Sequence, residues 1–249
     1  MRLTIIGGCG AYPGAGQPCS GYLVSHGDFA LLIDPGYGVA TALSVDGAPR
    51  FDAVLVSHGH PDHCADLNPL LRARAMAEPV QPPLPVHAQP GSLDAVLALD
   101  RPEWLEGVVE LHPFAAGDTF EIGPFAIRSA LLPHPRPNAG VRLTAGGASL
   151  VYTGDCGPSD DLVRLASGAD VLLAEATYSH HLPDDLVGSL STARDAGRQA
   201  AEAGVRGLVL THLAPGTDPE VSLVVASEEF GGPVAVARPG LSVPVGIGA

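Results

Sequence analysis

Short apolar runs separated by glycine-rich turns fill the first third of the chain. Runs at 3–7, 21–25, 29–33 and 53–56 have the length and β-branched content of strands. Gly7-Gly8, Gly14, Gly16 and Asp34-Pro35-Gly36 punctuate them. Residues 67–77 read as a helix that ends before Pro79 and the proline-rich stretch to Pro85. A second helix is expected at 91–99, opened by Ser92 and Asp94. More strands follow at 108–111, 119–122, 125–132, 140–144 and 149–152. The rhythm then changes, with helices at 160–166, 192–203 and 219–229 alternating with strands at 171–174, 207–210 and 234–236. Ser191 and Thr192 are suited to cap the start of the 192–203 helix, and Gly204 its end. Mostly-β halves that each gain helices predict an α/β (α+β) fold, two sheets face to face with helices outside.

Composition narrows the class. No proline-, serine- or glycine-rich linker or charge run divides the 249 residues, so one domain over 1–249 is expected. Hydrophobic residues make up 46%, enough for a sizeable core. No apolar run approaches the roughly 18 to 20 residues of a membrane helix, so no membrane contact is expected. The opening Met1-Arg2-Leu3-Thr4-Ile5-Ile6-Gly7 is too soon broken to be a leader peptide, and a cytoplasmic location is expected. Formal charge is −14 and all 13 basic residues are Arg. That acidity disfavours a long polyanion such as tRNA or DNA as partner, while a small anionic substrate bound directly by metal is compatible with it. Oligomeric state is open, with a homodimer as one candidate. Cys9, Cys19, Cys64 and Cys156 lack C-x-x-C spacing, and small buried packing roles suit Cys64 and Cys156.

Val-Ser-His-Gly-His-Pro-Asp-His at 56–63 changes the picture most. His58, His60, Asp62 and His63 place four potential metal ligands in six residues, directly after an apolar strand. Gly59 and Pro61 keep the turn tight. Chance would produce such a spacing in roughly one chain in a thousand of this composition, so a metal loop is the better reading. Imidazoles and a carboxylate suit Zn²⁺ first, with Mn²⁺ or Fe²⁺ as the other candidates. Four ligands in one loop cannot complete two coordination spheres. His134, Asp155 and His212 each follow an apolar run and are the candidates to complete them. Asp34 ends a strand before a Pro-Gly turn and has two readings, a turn cap or a support for the metal ligands.

The H-x-H-x-D-H loop, the later His134, the Thr153-Gly154-Asp155 strand end and the Thr211-His212 strand end resemble the metallo-β-lactamase fold superfamily, in its order. The resemblance spans most of the chain and implies an αββα metallo-β-lactamase-type sandwich with the site along one sheet edge. It implies two divalent metal ions, one held by His58, His60 and His134. The other falls to Asp62, His63 and His212, with Asp155 between them. It also implies that Asp62 orients the attacking water. His134-Pro-Arg-Pro-Asn-Ala-Gly140-Val-Arg142 and Glu175-Ala-Thr-Tyr178 resemble the tRNA 3′-endonuclease and phosphodiesterase branch. Ser20-Gly21-Tyr22-Leu23 is similar to small bacterial members related to the atypical cyclic-nucleotide phosphodiesterases.

Two departures bear on substrate. The endonuclease branch carries a histidine just before the helix near Thr192, where this chain has Ser189-Leu190-Ser191. A glycine- and lysine-rich tRNA-gripping arm is also missing. His180 or His181 is therefore the candidate acid for the leaving group, against the alternative of ordinary exposed loop histidines. Tyr178 and Ser189 are candidates to line the substrate pocket. His26, His87 and His112 have no partner at ligand spacing. The expected activity is a dinuclear metal-dependent hydrolase acting on a small phosphodiester, with a cyclic nucleotide among the candidates. The alternatives are a lactonase or thioesterase using the same ions, then an iron-dependent oxidoreductase. A scaffold without catalysis is disfavoured because all seven ligand positions are filled.

Overall fold

The computed structural model describes residues 1–44 and 50–246. The domain expected over 1–249 also takes in 45–49 and 247–249, which lie outside the described residues. The chain opens with β1 (Arg2–Gly7), β2 (Gly21–His26) and β3 (Phe29–Ile33), then α1 (Val39–Ala42) and β4 (Ala53–Leu55). It continues through α2 (Pro61–Cys64), α3 (Leu67–Ala75), β5 (Leu84–Ala88), α4 (Asp94–Leu97), α5 (Pro102–Leu105) and β6 (Val109–Pro113). The second half holds β7 (Thr119–Ile122), β8 (Phe125–Leu132), β9 (Asn138–Ala145), β10 (Ala148–Tyr152), α6 (Asp160–Ala166) and β11 (Val171–Glu175). After a 3₁₀ turn at Asp184–Leu186 come α7 (Ala193–Ala203), β12 (Leu208–Thr211), α8 (Pro219–Glu229), β13 (Val234–Val236) and β14 (Ser242–Pro244).

Two seven-stranded sheets result, ordered β14-β1-β2-β3-β4-β5-β6 and β13-β12-β11-β10-β9-β8-β7. The two-residue strand period decides which side chains meet where. Leu3, Ile5, Leu31, Ile33 and Leu55 face Ile127, Leu143, Leu150, Leu173 and Val209 across the sandwich. Their neighbours Ile6, Leu32 and Val54 point outward onto Leu67 and Leu71 of α3. Leu172, Leu208 and Leu210 do the same beneath α6, α7 and α8. The expected layers are therefore present, two mixed sheets face to face with helices outside.

The capping of α7 follows the sequence reading. Thr192 accepts from the Asp195 backbone N–H, Asp195 receives the Thr192 N–H in return, and Gly204 ends the helix at φ +63°. The expected helix at 91–99 is reduced to the single turn of α4. Gly91 takes φ +78°, and the Ser92 hydroxyl donates to Gln89 O at 2.7 Å instead of capping. Pro61 does more than tighten a turn, because it is the first residue of the helical turn α2.

Candidate metal centre

The parallel strands β3, β4, β10, β11 and β12 end along one edge of the sandwich, and the loops leaving them carry the candidate ligands. β4 runs into Ser57 and His58, and α2 then presents Asp62 and His63 one after the other. β10 delivers Asp155, β12 delivers His212, and the turn after β8 delivers His134.

Two groups converge there. His58, His60, His134 and Asp155 each offer a ligand atom within 4.8 Å of the others, and so do Asp62, His63, Asp155 and His212. In the first group His60 Nδ1 lies 3.0 Å from His58 Nε2 and 3.1 Å from His134 Nε2. Asp155 Oδ2 faces the same space, 3.8 Å from His58 Nε2 and 4.0 Å from His134 Nε2. In the second, Asp155 Oδ1 lies 3.1 Å from His63 Nε2 and 3.3 Å from His212 Nε2. Asp62 Oδ2 is 3.1 Å from His212 Nε2 and 3.6 Å from His63 Nε2. All seven candidate ligands, four from the 58–63 loop and three from later strand ends, are thus brought together, and Asp155 turns one oxygen to each group.

Supporting hydrogen bonds aim the imidazoles. Asp34 Oδ2 accepts from His63 Nδ1 at 2.8 Å, so that Nε2 is the ring nitrogen facing inward. The same carboxylate accepts the Ser57 backbone N–H (2.7 Å), the Ser57 hydroxyl (2.6 Å) and the Tyr152 hydroxyl (2.7 Å). Of its two sequence readings, support for a ligand is the one the geometry shows. His134 Nδ1 donates to Ser189 O at 3.1 Å, and His212 Nδ1 to Thr177 Oγ1 at 3.2 Å. The Thr177 hydroxyl in turn donates to Glu175 Oε2 at 2.6 Å.

Charge is distributed to match. Burial alone would lower His63, but Asp155 and Asp34 outweigh it and raise its pKa. Burial would raise Asp155, yet His212 and His63 hold it well below the usual carboxylate range. Asp62 behaves likewise, with burial overcome by His212 and His63. His58 is pushed down by burial and then by His63, so it stays neutral and able to donate a lone pair.

Whether metal ions suit this donor set is decided by two atoms. His63 Nε2 and Asp155 Oδ1 are buried without a hydrogen-bond partner, although they face each other. Orphaned buried polar atoms of this kind are costly unless an ion completes them. The mix of imidazole nitrogens and carboxylate oxygens suits divalent ions.

Other expected residues fall elsewhere. His180 and His181 are exposed, their rings 6.2 Å apart, and neither joins the two ligand groups. Tyr178 is half-buried and held through its backbone, its carbonyl accepting from Ala193 N–H at 2.8 Å. The Ser189 hydroxyl turns back to Leu186 O at 2.9 Å, so Ser189 meets the site through its carbonyl. Cys64 and Cys156 are buried and belong to neither group. His87 stacks on His112 at 4.7 Å, also apart from the ligands.

Two contributors were given no role in the sequence reading. The Ala11 backbone N–H donates to Asp62 Oδ2 at 2.8 Å. Glu175 is buried and accepts from Cys156 N–H, Ser191 N–H and Thr177. Backbone strain marks the same place. Ala11, Asp34 and His212, the non-glycine residues with positive φ among those described, hold or supply a ligand atom in every case.

Comparison with known proteins agrees with this geometry. Residues 30–213 match the family model described as "Beta-lactamase superfamily domain". The chain is 37% identical over 246 residues to the Mycobacterium leprae protein ML1173, covering 94% of this chain and 85% of that one. It is 31% identical to the "Probable metallo-hydrolase YhfI" of Bacillus subtilis, covering 86% and 87%. The crystal structure of YhfI superposes with a TM-score of 0.86 at 30% identity, over 98% of this chain and 99% of that one. "Ribonuclease Z" of Mycobacterium bovis is 31% identical over 269 residues, covering 95% of each chain. The chain belongs to the β-lactamase superfamily, among its members similar to YhfI and ribonuclease Z, and is a metal-dependent hydrolase.

Proposed function

We propose that this hydrolase cleaves a small phosphodiester, using two divalent ions held by His58, His60 and His134 on one side and Asp62, His63 and His212 on the other. The observation that carries the reading is Asp155, whose two oxygens each face one group of imidazoles. Zinc is the first candidate, with manganese or iron behind it. Bound there, two such ions would supply an acidified water near neutral pH and a Lewis acid for the phosphoryl oxygen. The chain's own residues do the rest. The Ala11 backbone N–H steadies Asp62 through Oδ2, and orienting the attacking water is the role proposed for its other oxygen.

Phosphorus rather than carbonyl chemistry is favoured by the relative named ribonuclease Z, which matches over nearly the whole of both chains. The net charge of −14 favours a short substrate over a polymer. His180 and His181 are the proposed source of the leaving-group proton. Their segment begins after Thr177, which holds His212, and ends at Ser189, which holds His134. It therefore runs from one ligand group to the other.

The test is a substrate panel. Metal-loaded protein should hydrolyse bis-p-nitrophenyl phosphate faster than homoserine lactones or thioesters, and chelation should stop it. Preference for the lactone would overturn the reading. Replacing His180 and His181 together should slow a phenyl leaving group about 10²-fold while sparing p-nitrophenolate, which needs no acid. Equal effects on both leaving groups would remove the pair from the mechanism.

A further inference from the structure

His134 is aimed differently from the imidazoles of the second group. Side chains hold His63 and His212, through Asp34 and Thr177, whereas His134 Nδ1 rests on a backbone carbonyl, Ser189 O at 3.1 Å. That carbonyl belongs to the segment 178–191, most of which is exposed and whose one regular element is the 3₁₀ turn at Asp184–Leu186. His60 and His134 are half-buried, while Asp62, His63, Asp155 and His212 are all buried. The aim of His134 therefore depends on what holds this segment in place.

Gly157 stands between the segment and the ligand. It is buried and lies two residues after the ligand Asp155. Its N–H donates at 2.9 Å to the carbonyl of Pro133, the residue before His134. Its α-carbon packs against Gly188, the residue before Ser189. A Cβ at Gly157 would stand 2.2 Å from Gly188 O and 2.4 Å from the carbonyl carbon, so only glycine admits the approach. Gly188 itself turns the chain at φ +82°. Just beyond, the Ser191 hydroxyl donates to Cys156 O at 2.7 Å, and the N–H groups of Cys156 and Ser191 share Glu175 Oε1 at 2.8 and 3.1 Å. One glycine thus touches both the turn that carries His134 and the segment that supports its ring.

We propose that Gly157 is a positioning residue of the metal centre: by admitting Gly188 against its α-carbon, it sets the Ser189 carbonyl on His134 Nδ1 and so governs how the first ligand group holds its ion. The inference rests on the two-ion reading. A side chain at 157 displaces the Gly188 backbone, and the Ser189 carbonyl moves with it. The second group keeps its own supports, Asp34 on His63 and Thr177 on His212. The effect of a substitution is therefore confined to one group, which a general loss of packing would not produce.

Two measurements test it, on Gly157→Ala and on Gly188→Ala, which disturbs the same contact from the other side by straining a positive φ. The first is zinc content. Affinity of the first group should fall about 10- to 100-fold in each variant, leaving about one ion where the native chain holds two. Adding His212→Ala, which removes a ligand of the second group, should then leave close to none. One ion retained in the combined variant would show that the wrong group was emptied, and two retained in Gly157→Ala that Gly157 positions nothing. A native chain holding fewer than two ions would instead remove the two-ion reading. The second is hydrogen exchange of the imidazole N–H groups in ¹⁵N-histidine-labelled protein, with zinc and in chelator. His134 Nδ1–H should exchange at least about tenfold faster in both variants while His63 and His212 keep the native rate. Equal acceleration at all three rings, or at none, would overturn the proposal whether or not zinc is bound.

Discussion

His63 Nδ1 and Asp34 Oδ2 stand 2.8 Å apart in a fully buried pair, and this contact decides which imidazole nitrogen faces the centre. Asp34 accepts four hydrogen bonds, from His63, Tyr152 and twice from Ser57, so neither of its oxygens can be exchanged for a donor. Asn tolerates the positive φ of 52° as well as Asp does, so Asp34→Asn isolates the acceptor role from the backbone role. Metal affinity should fall about 10- to 100-fold in Asp34→Asn, measured by competition with a chromogenic chelator. Unchanged affinity would mean that Asp34 serves the turn alone.

Because Asp155 serves both groups and His212 only one, their removal should differ in stoichiometry. The native chain is expected to hold two ions, His212→Ala about one, and Asp155→Ala fewer than one by elemental analysis after desalting. Phosphodiester turnover should drop about 10³-fold or more in Asp155→Ala, since several kcal/mol of transition-state stabilisation leaves with the ions. Full metal content in Asp155→Ala would show that the groups bind independently.

How far the site is legible in sequence depends on whether a side chain or a backbone atom does the work. The seven candidate ligands are side chains of distinctive type at strand ends, so the sequence singles them out, and the structure brings them into two groups. Ala11 acts through its N–H, and Ser189 through its carbonyl, so residue identity carries no signal for either. Glu175 could have been given a supporting role, because a carboxylate ending the apolar run 171–174 is unusual in a buried strand. Long elements such as α7 and α8 are read well because several turns repeat the pattern. The one-turn helices α1, α2 and α5 repeat nothing, and β14 gains its pairing only from β1 at the far end of the chain.

Glu175 makes a pH prediction for the metal-free protein. Burial first, and then Asp155, pushes its carboxyl up from 4.5 to about 8. Between those values the folded chain holds a proton that the unfolded chain has released. The associated stability is complete below about 4.5 and is lost as pH rises through about 8. Urea midpoints measured in chelator should therefore fall across this window more steeply for the native chain than for Glu175→Gln. Parallel slopes would assign the proton elsewhere.

Gly36 shows how closely the backbone must approach the metal loop. A Cβ at this position would lie 1.9 Å from the Asp62 carbonyl oxygen and 3.0 Å from the Cys19 Cβ. Neither neighbour is the free end of a flexible side chain, so the Asp62 backbone must give way. Asp62 and His63 are consecutive in α2, and a displacement there moves two ligands of the same group together. Gly36→Ala should then lose metal from the second group before the first, lowering stoichiometry toward one. It should also lower stability by about 1–3 kcal/mol through the forced backbone shift. Gly231→Ala, which meets nothing within 4 Å, is the matched control and should keep full metal content. Equal metal content in the two variants would mean that α2 yields without carrying its ligands out of place.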